Sequence, residues 1–183
     1  MKRRWLAMSA LLVQPLSAAE ASPFDGIPGV RFEYYEVEGR TPQEIYQSMQ
    51  ERSPRGGEAL AQTVWQIDVD WNEQTRGAGC RVVNPRTRMS IKVELPELSQ
   101  DEEPTPAGLA FWRSARRGLE IHEAGHAKIA WNHRDDFNQA ALKASCKSID
   151  KVAHEVQARI EAIQDDYDRE TDHGRRQVPH PEE

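Results

Sequence analysis

Pro96-Glu-Leu-Ser-Gln-Asp-Glu-Glu-Pro-Thr-Pro-Ala-Gly108 separates two kinds of hydrophobic repeat in this chain. Upstream of it, Trp65, Ile67, Val69 and Trp71 alternate with polar residues, and so do Met89, Ile91, Val93 and Leu95. A period of two places each set on one face of a strand. Downstream, Ala115, Leu119, His122, His126 and Ile129 follow at the four-and-three spacing of an amphipathic helix that faces a core. Strands before the connection and helices after it predict an α+β fold. We expect a small antiparallel sheet of about three or four strands, packed on a helical C-terminal half. The charged part of the connection, Leu98 to Thr105, reads as a solvated loop.

Further upstream, Arg31 to Val37 is rich in aromatic residues and suits a first strand ending at Gly39. Thr41, Pro42 and Glu44 supply an N-cap, a first-turn proline and a capping-box glutamate, which opens a short helix through Arg52. A turn is expected around Asn84 and Pro85. Three helices are expected beyond the connection, over Leu109 to Trp131, Asp135 to Ala144 and Ile149 to Tyr167. Gly174 to Glu183 has the composition of a loosely ordered tail.

At the other end, Lys2, Arg3 and Arg4 precede an apolar stretch from Trp5 to Leu16 and the small residues Ser17, Ala18 and Ala19, the layout of an export signal. Cleavage after Ala19 or Ala21 is expected. The apolar run is shorter than the roughly 20 residues that span a bilayer, so no stable membrane anchor is expected. The organisation predicted is a signal over 1–21, one domain over 22–173 and a tail over 174–183. The product would be periplasmic or secreted. Loss of the three leading basic residues moves the formal net charge from −6 to −9, which disfavours binding to nucleic acid. An oxidising compartment also predicts a disulfide between Cys80 and Cys146, the two cysteines of the chain.

Chemistry is carried by His122-Glu123-Ala124-Gly125-His126, the His-Glu-x-x-His pattern. On a helix, residues four apart share a face, so two imidazoles one turn apart converge on a single Zn²⁺. Glu123 is then turned toward the side where water would be activated, and could take its proton. Both histidines lie in the apolar stripe, and burying two imidazoles costs free energy unless their nitrogens are satisfied. Gly125 is unusual, since a mid-helix glycine costs about 1 kcal/mol relative to alanine. A close approach by a strand or substrate is expected there.

For a third ligand the residues leave several choices. His133, seven residues beyond His126, would be about 10 Å along a continuing helix, too far to share the ion. Ile129 and Asn132 occupy the places where a metzincin would carry glycine and histidine. In the last helix the apolar stripe is Ile149, Val152, Val156, Ile160, Ile163 and Tyr167, which turns His154 to solvent. Glu155 and Glu161 flank that stripe, where a glutamate ligand from a second helix would sit. His173 precedes Gly174, a helix-stop residue that lets the chain fold back over the site.

Further residues carry a family resemblance. They are Tyr34-Tyr35, Gly39-Arg40-Thr41, Thr63-Val64-Trp65, Trp71, Cys80, Leu95-Pro96, the His122 to His126 motif, Cys146, Tyr167-Asp168, Thr171, His173, Gly174 and Gln177. In these the chain resembles a bacterial family of predicted secreted zinc-dependent proteases, long carried as a domain of unknown function. The resemblance implies a zincin-like helix, pairing of Cys80 with Cys146, and His173 as third ligand. The expected function is a zinc metallopeptidase that hydrolyses peptide or protein substrates, cell-wall peptides included, with Glu123 as general base and Asp168 orienting a ligand from behind. The rival expectation is a non-catalytic envelope protein that keeps a metal site for stability or binds a partner.

Overall fold

The structure is a computed structural model that describes residues 21–181. Of the expected export signal over 1–21, residues 1–20 lie outside the described residues. The elements are β1 (Val30–Val37), α1 (Pro42–Arg52), β2 (Gln62–Arg76), β3 (Gly79–Leu98), α2 (Pro106–Asn132), α3 (Asp136–Ala141) and α4 (Ile149–Thr171). The α+β class and the helical C-terminal half are as expected. Among the described residues no helix is long and apolar enough to cross a membrane.

The three strands lie in the order β1-β3-β2, with β2 antiparallel and β1 parallel to β3. The sheet is therefore mixed, which corrects the expectation of an antiparallel one. The β2–β3 hairpin inserts its second strand between its first and β1, so β3 becomes the central strand, and the crossover through α1 leaves it running in the same direction as β1. Alternation assigns faces to a strand but says nothing of its neighbour's direction. Ile91, Val93 and Leu95 of this central strand are almost fully buried.

A second correction concerns Asn84 and Pro85. The hairpin turns at Gly77 and Ala78, and β3 runs on through both residues. Pairing jumps from Asp70↔Arg86 to Asn72↔Val83, so Trp71 opposes Asn84 and Pro85 together. Asn84 takes a left-handed φ of 52°. This is a bulge, where a proline without an N–H breaks no ladder bond.

Helix α1 begins with the expected reciprocal cap, the Thr41 side chain accepting from Glu44 N–H and the Glu44 carboxylate accepting from the Thr41 backbone. Thr105 caps α2, and its N–H and hydroxyl both bond to the Arg40 carbonyl, which ties the acidic loop to the entry of α1. One apolar cluster joins α1, α2 and the inner half of the sheet through residues such as Ile45, Met49, Val93, Ala115 and Ala127. A second lies between the outer half of the hairpin and α3 and α4, around Val82, Phe137, Val156 and Ile160. There Cys80 of β3 is joined to Cys146 in the α3–α4 connection by a disulfide, with Cα atoms 5.5 Å apart.

Beyond α4 the residues Asp172, His173 and Gly174 all take positive φ, and the chain turns back across α2. Val178 enters the first cluster. A Cβ at Gly118 would collide with the Gln177 carbonyl, so the bare glycine is what lets this segment lie on α2. The residues described after Gly174 are thus packed, where a loose tail was expected. Their scattered charges concealed one buried valine and one close backbone contact.

Candidate functional site

Helices α2 and α4 face each other across His122, His126 and Asp168. His122 is buried, and Ala115, Leu119, Ala124 and Ala127 beside it line the core side of α2. The imidazole Nε2 atoms of His122 and His126 stand 3.2 Å apart. Asp168 Oδ1 lies 3.0 Å from the second and 3.3 Å from the first.

The opposite nitrogens are held by amides. His126 Nδ1 is 2.6 Å from Gln164 Oε1, and Gln164 is itself oriented because its Nε2 donates to the His126 carbonyl at 3.1 Å. His122 Nδ1 is 3.0 Å from Gln177 Oε1. An amide oxygen only accepts, so each Nδ1 carries a proton and each ring turns its Nε2 to the cluster. Two imidazole Nε2 atoms and a carboxylate oxygen meet face to face.

Gly125 owes its place to Tyr167. A Cβ there would run into the tyrosine ring, so a side chain of α4 makes the close approach, where a strand or substrate was expected. That ring stacks on His122 at 5.3 Å between centroids and meets His126 edge-on at 5.0 Å. Both imidazoles are thereby fixed in orientation as well as tautomer.

Glu123 is 3% exposed, and its Oε2 has no hydrogen-bond partner. Burial pushes its carboxyl pKa up to about 7, against hydrogen bonding from Thr63 that favours the charged form. The Thr63 hydroxyl also donates to the Glu123 backbone carbonyl at 3.1 Å, fastening β2 to α2 beside the site. Burial, then the neighbouring His126, lowers the His122 pKa. Burial raises that of Tyr167. A cavity of about 390 Å³ opens onto these groups, walled by Arg55 and the Glu58 to Thr63 run on one side and by Asp168 and His173 on the other.

His173 lies at the rim, 72% exposed in its side chain, with Nδ1 3.7 Å from Asp168 Oδ2 and its N–H bonded to the Asp168 carbonyl. The cluster atom on α4 comes from Asp168, a residue expected to stand behind a ligand. Glu155 pairs with Lys151, and Glu161 accepts from Gln157; neither joins the cluster. His133 caps α2 and pairs with Asp136, and His154 is exposed. Gln164 was missed, although a polar residue four before Asp168 among the apolar positions of α4 was its visible sign. Gln177 was noted without a role.

Fold and site together define an α+β protein with a His-His-Asp cluster between two helices. The chain belongs to the family described as bacterial protein of unknown function (DUF922), whose profile matches residues 32–174. No curated protein and no solved structure matches the chain.

Proposed function

We propose that this protein is a zinc-dependent peptidase of an oxidising compartment, with His122, His126 and Asp168 holding the metal and Glu123 moving the proton. The observation that carries the proposal is the meeting of three ligand atoms, two Nε2 and one Oδ1, while an amide oxygen holds the Nδ1 of each ring on its far side. Crowded this closely, the three repel one another unless a proton or a metal cation lies among them. Two imidazoles and one carboxylate are also donors that suit catalytic zinc. Zinc held there supplies Lewis-acid polarisation of a carbonyl and a lowered pKa for water, toward about 7.

The chain's own residues supply the rest. Glu123 takes the proton of the attacking water and passes it to the departing amine; a carboxyl whose pKa is about 7 exchanges protons readily near neutrality. Gln164 and Gln177 keep both imidazoles in the tautomer that presents Nε2. Tyr167 holds their planes, and His173 stands on the open side of the cavity within reach of a bound substrate. A site kept for stability has no use for a buried carboxylate with an unpartnered oxygen beside its first ligand, which weighs against a non-catalytic role. The disulfide is in keeping with export.

Elemental analysis of the purified mature protein tests this. We expect about one zinc per chain in the wild type and in Glu123→Gln, and none in His126→Ala or Asp168→Ala. Glu123→Gln should cleave a denatured protein substrate at least about 100-fold more slowly. Zinc retained in Asp168→Ala but lost in His173→Ala would transfer the third ligand to His173. A wild type that takes up no zinc, and melts no higher when zinc is added, would overturn the proposal.

A further inference from the structure

Beyond the cluster, a second cavity of about 430 Å³ lies between β2 and α4. Gln62, Thr63 and Trp65 line both cavities, so one cleft runs from Glu123 along β2. Along it, Ile67 and Val69 of β2 face Phe137 of α3 and Ala153 and Val156 of α4, with Gln66, Gln157 and Glu161 also in the lining. Ile67 and Val69 are only half-buried, and Val64 is 43% exposed, so apolar surface here is left uncovered by the fold itself. Among the described residues, β2 pairs with β3 alone, which leaves its outer edge without a strand.

From this we infer that the cleft takes an extended polypeptide whose bulky apolar side chain fills the space between Ile67 and Val156, and that this pocket selects substrates for the peptidase proposed above. The occupant follows from continuity. A chain laid with a peptide bond at Glu123 has one way onward along this wall, past the free edge of β2, whose backbone groups can pair with it. Thr63 marks the reacting end through its bond to Glu123, and Ile67 is four residues further. At about 3.3 Å per residue in both chains, the selected side chain lies roughly three to four residues from the bond cleaved. The same wall disfavours short peptides of small residues, such as cell-wall cross-links, which would leave its apolar side unfilled. The substrate class is accordingly unfolded protein or peptide with leucine, methionine or phenylalanine at that place.

Two measurements on the zinc-loaded full-length mature protein test the inference and separate it from the peptidase reading on which it rests. In the first, a library of peptides is digested and the products sequenced by mass spectrometry; large apolar residues should be enriched at one position a few residues to one side of the cut. In the second, binding is read by fluorescence anisotropy on Glu123→Gln, using one labelled extended peptide with leucine at that position and one with alanine. The leucine peptide should bind about tenfold more tightly. Ala153→Trp, which fills the pocket from α4, should bring that ratio to about one. If it melts below the wild type, Val156→Ala serves instead, and enlarging the pocket should shift the preference from leucine toward phenylalanine. Cleavage without enrichment, or a ratio unmoved by either variant, overturns the pocket while leaving the peptidase intact. Absence of cleavage with discrimination retained on Glu123→Gln overturns the peptidase and leaves the peptide-binding cleft standing.

Discussion

The two ends of the helical layer are fastened to the sheet by different means. Around the His-His-Asp cluster, α2 packs into the first apolar cluster through Ala115, Ala124, Ala127 and Ala130, while Gly118 and Gly125 admit the C-terminal segment and Tyr167. Small side chains allow close approach, and the amides of Gln164 and Gln177 then fix the histidine rings. At the far end, α3 and α4 leave Trp65, Ile67, Val69 and Trp71 partly uncovered, and a disulfide ties the hairpin to the α3–α4 connection. Close packing is spent where atoms must be placed, and a covalent clip secures an arm whose apolar cover is thin.

If that division holds, cutting the clip should cost stability and spare the site. The double variant Cys80→Ser/Cys146→Ser opens a loop with a sequence separation of 66, worth about 4 kcal/mol by the chain-entropy account. Calorimetry should show a melting temperature lower by roughly 10 °C. Titration with zinc below that temperature should give the wild-type affinity. An affinity that falls with the stability would show the two ends to be one cooperative structure.

The site end carries a cost of its own, visible in pH dependence. A carboxylic acid with a folded pKa of about 7 and an unfolded value near 4.5 binds more protons folded than unfolded between those two pH values. Its destabilising effect is therefore absent at low pH, grows as pH rises from about 4.5 to 7, and is complete above 7. The full shift corresponds to at most about 3 kcal/mol. In the metal-free protein, Glu123→Gln should remove this component, so urea denaturation should find the variant more stable than wild type at pH 8 and equal to it at pH 4. Equal stability at both values would mean that the carboxyl is relieved by water or by movement of α2.

The same contrast explains what could be read from the sequence. Alternation in Trp65 to Trp71 and Met89 to Leu95 gave two of the strands, and the capping residues gave α1, because these are local signals. The direction of β1 was not legible, since it depends on where the hairpin lies. His122, Glu123 and His126 could be placed on one helix by spacing alone. Asp168 could not be placed in the cluster while the last helix was expected to stop at Tyr167; continued to Thr171, it brings Gln164 and Asp168, four apart, onto the face that meets α2. His173, expected to fold over the site, then falls beyond the helix end and onto the rim. The roles of Gln164 and Gln177 arise from contacts between distant segments, which no local pattern encodes.

Gln177 offers the finest test of how the site end is fastened, because its amide accepts from His122 Nδ1 and donates to the Tyr167 hydroxyl, behind the proposed zinc. Gln177→Ala should free the His122 ring to take either tautomer, and zinc affinity should fall by about 10- to 100-fold. The Thr171 hydroxyl, 3.4 Å from the same nitrogen, is a poorer partner and should recover only part of the loss. Gln177→Glu restores an acceptor of the same length with more negative charge, so affinity should return to the wild-type value or exceed it. A merely structural role predicts something else: if Gln177 mattered through its packing on Gly118, both variants, which keep the backbone carbonyl that lies there, would bind zinc as the wild type does. Loss with alanine and recovery with glutamate would establish that ring orientation is set from the C-terminal segment.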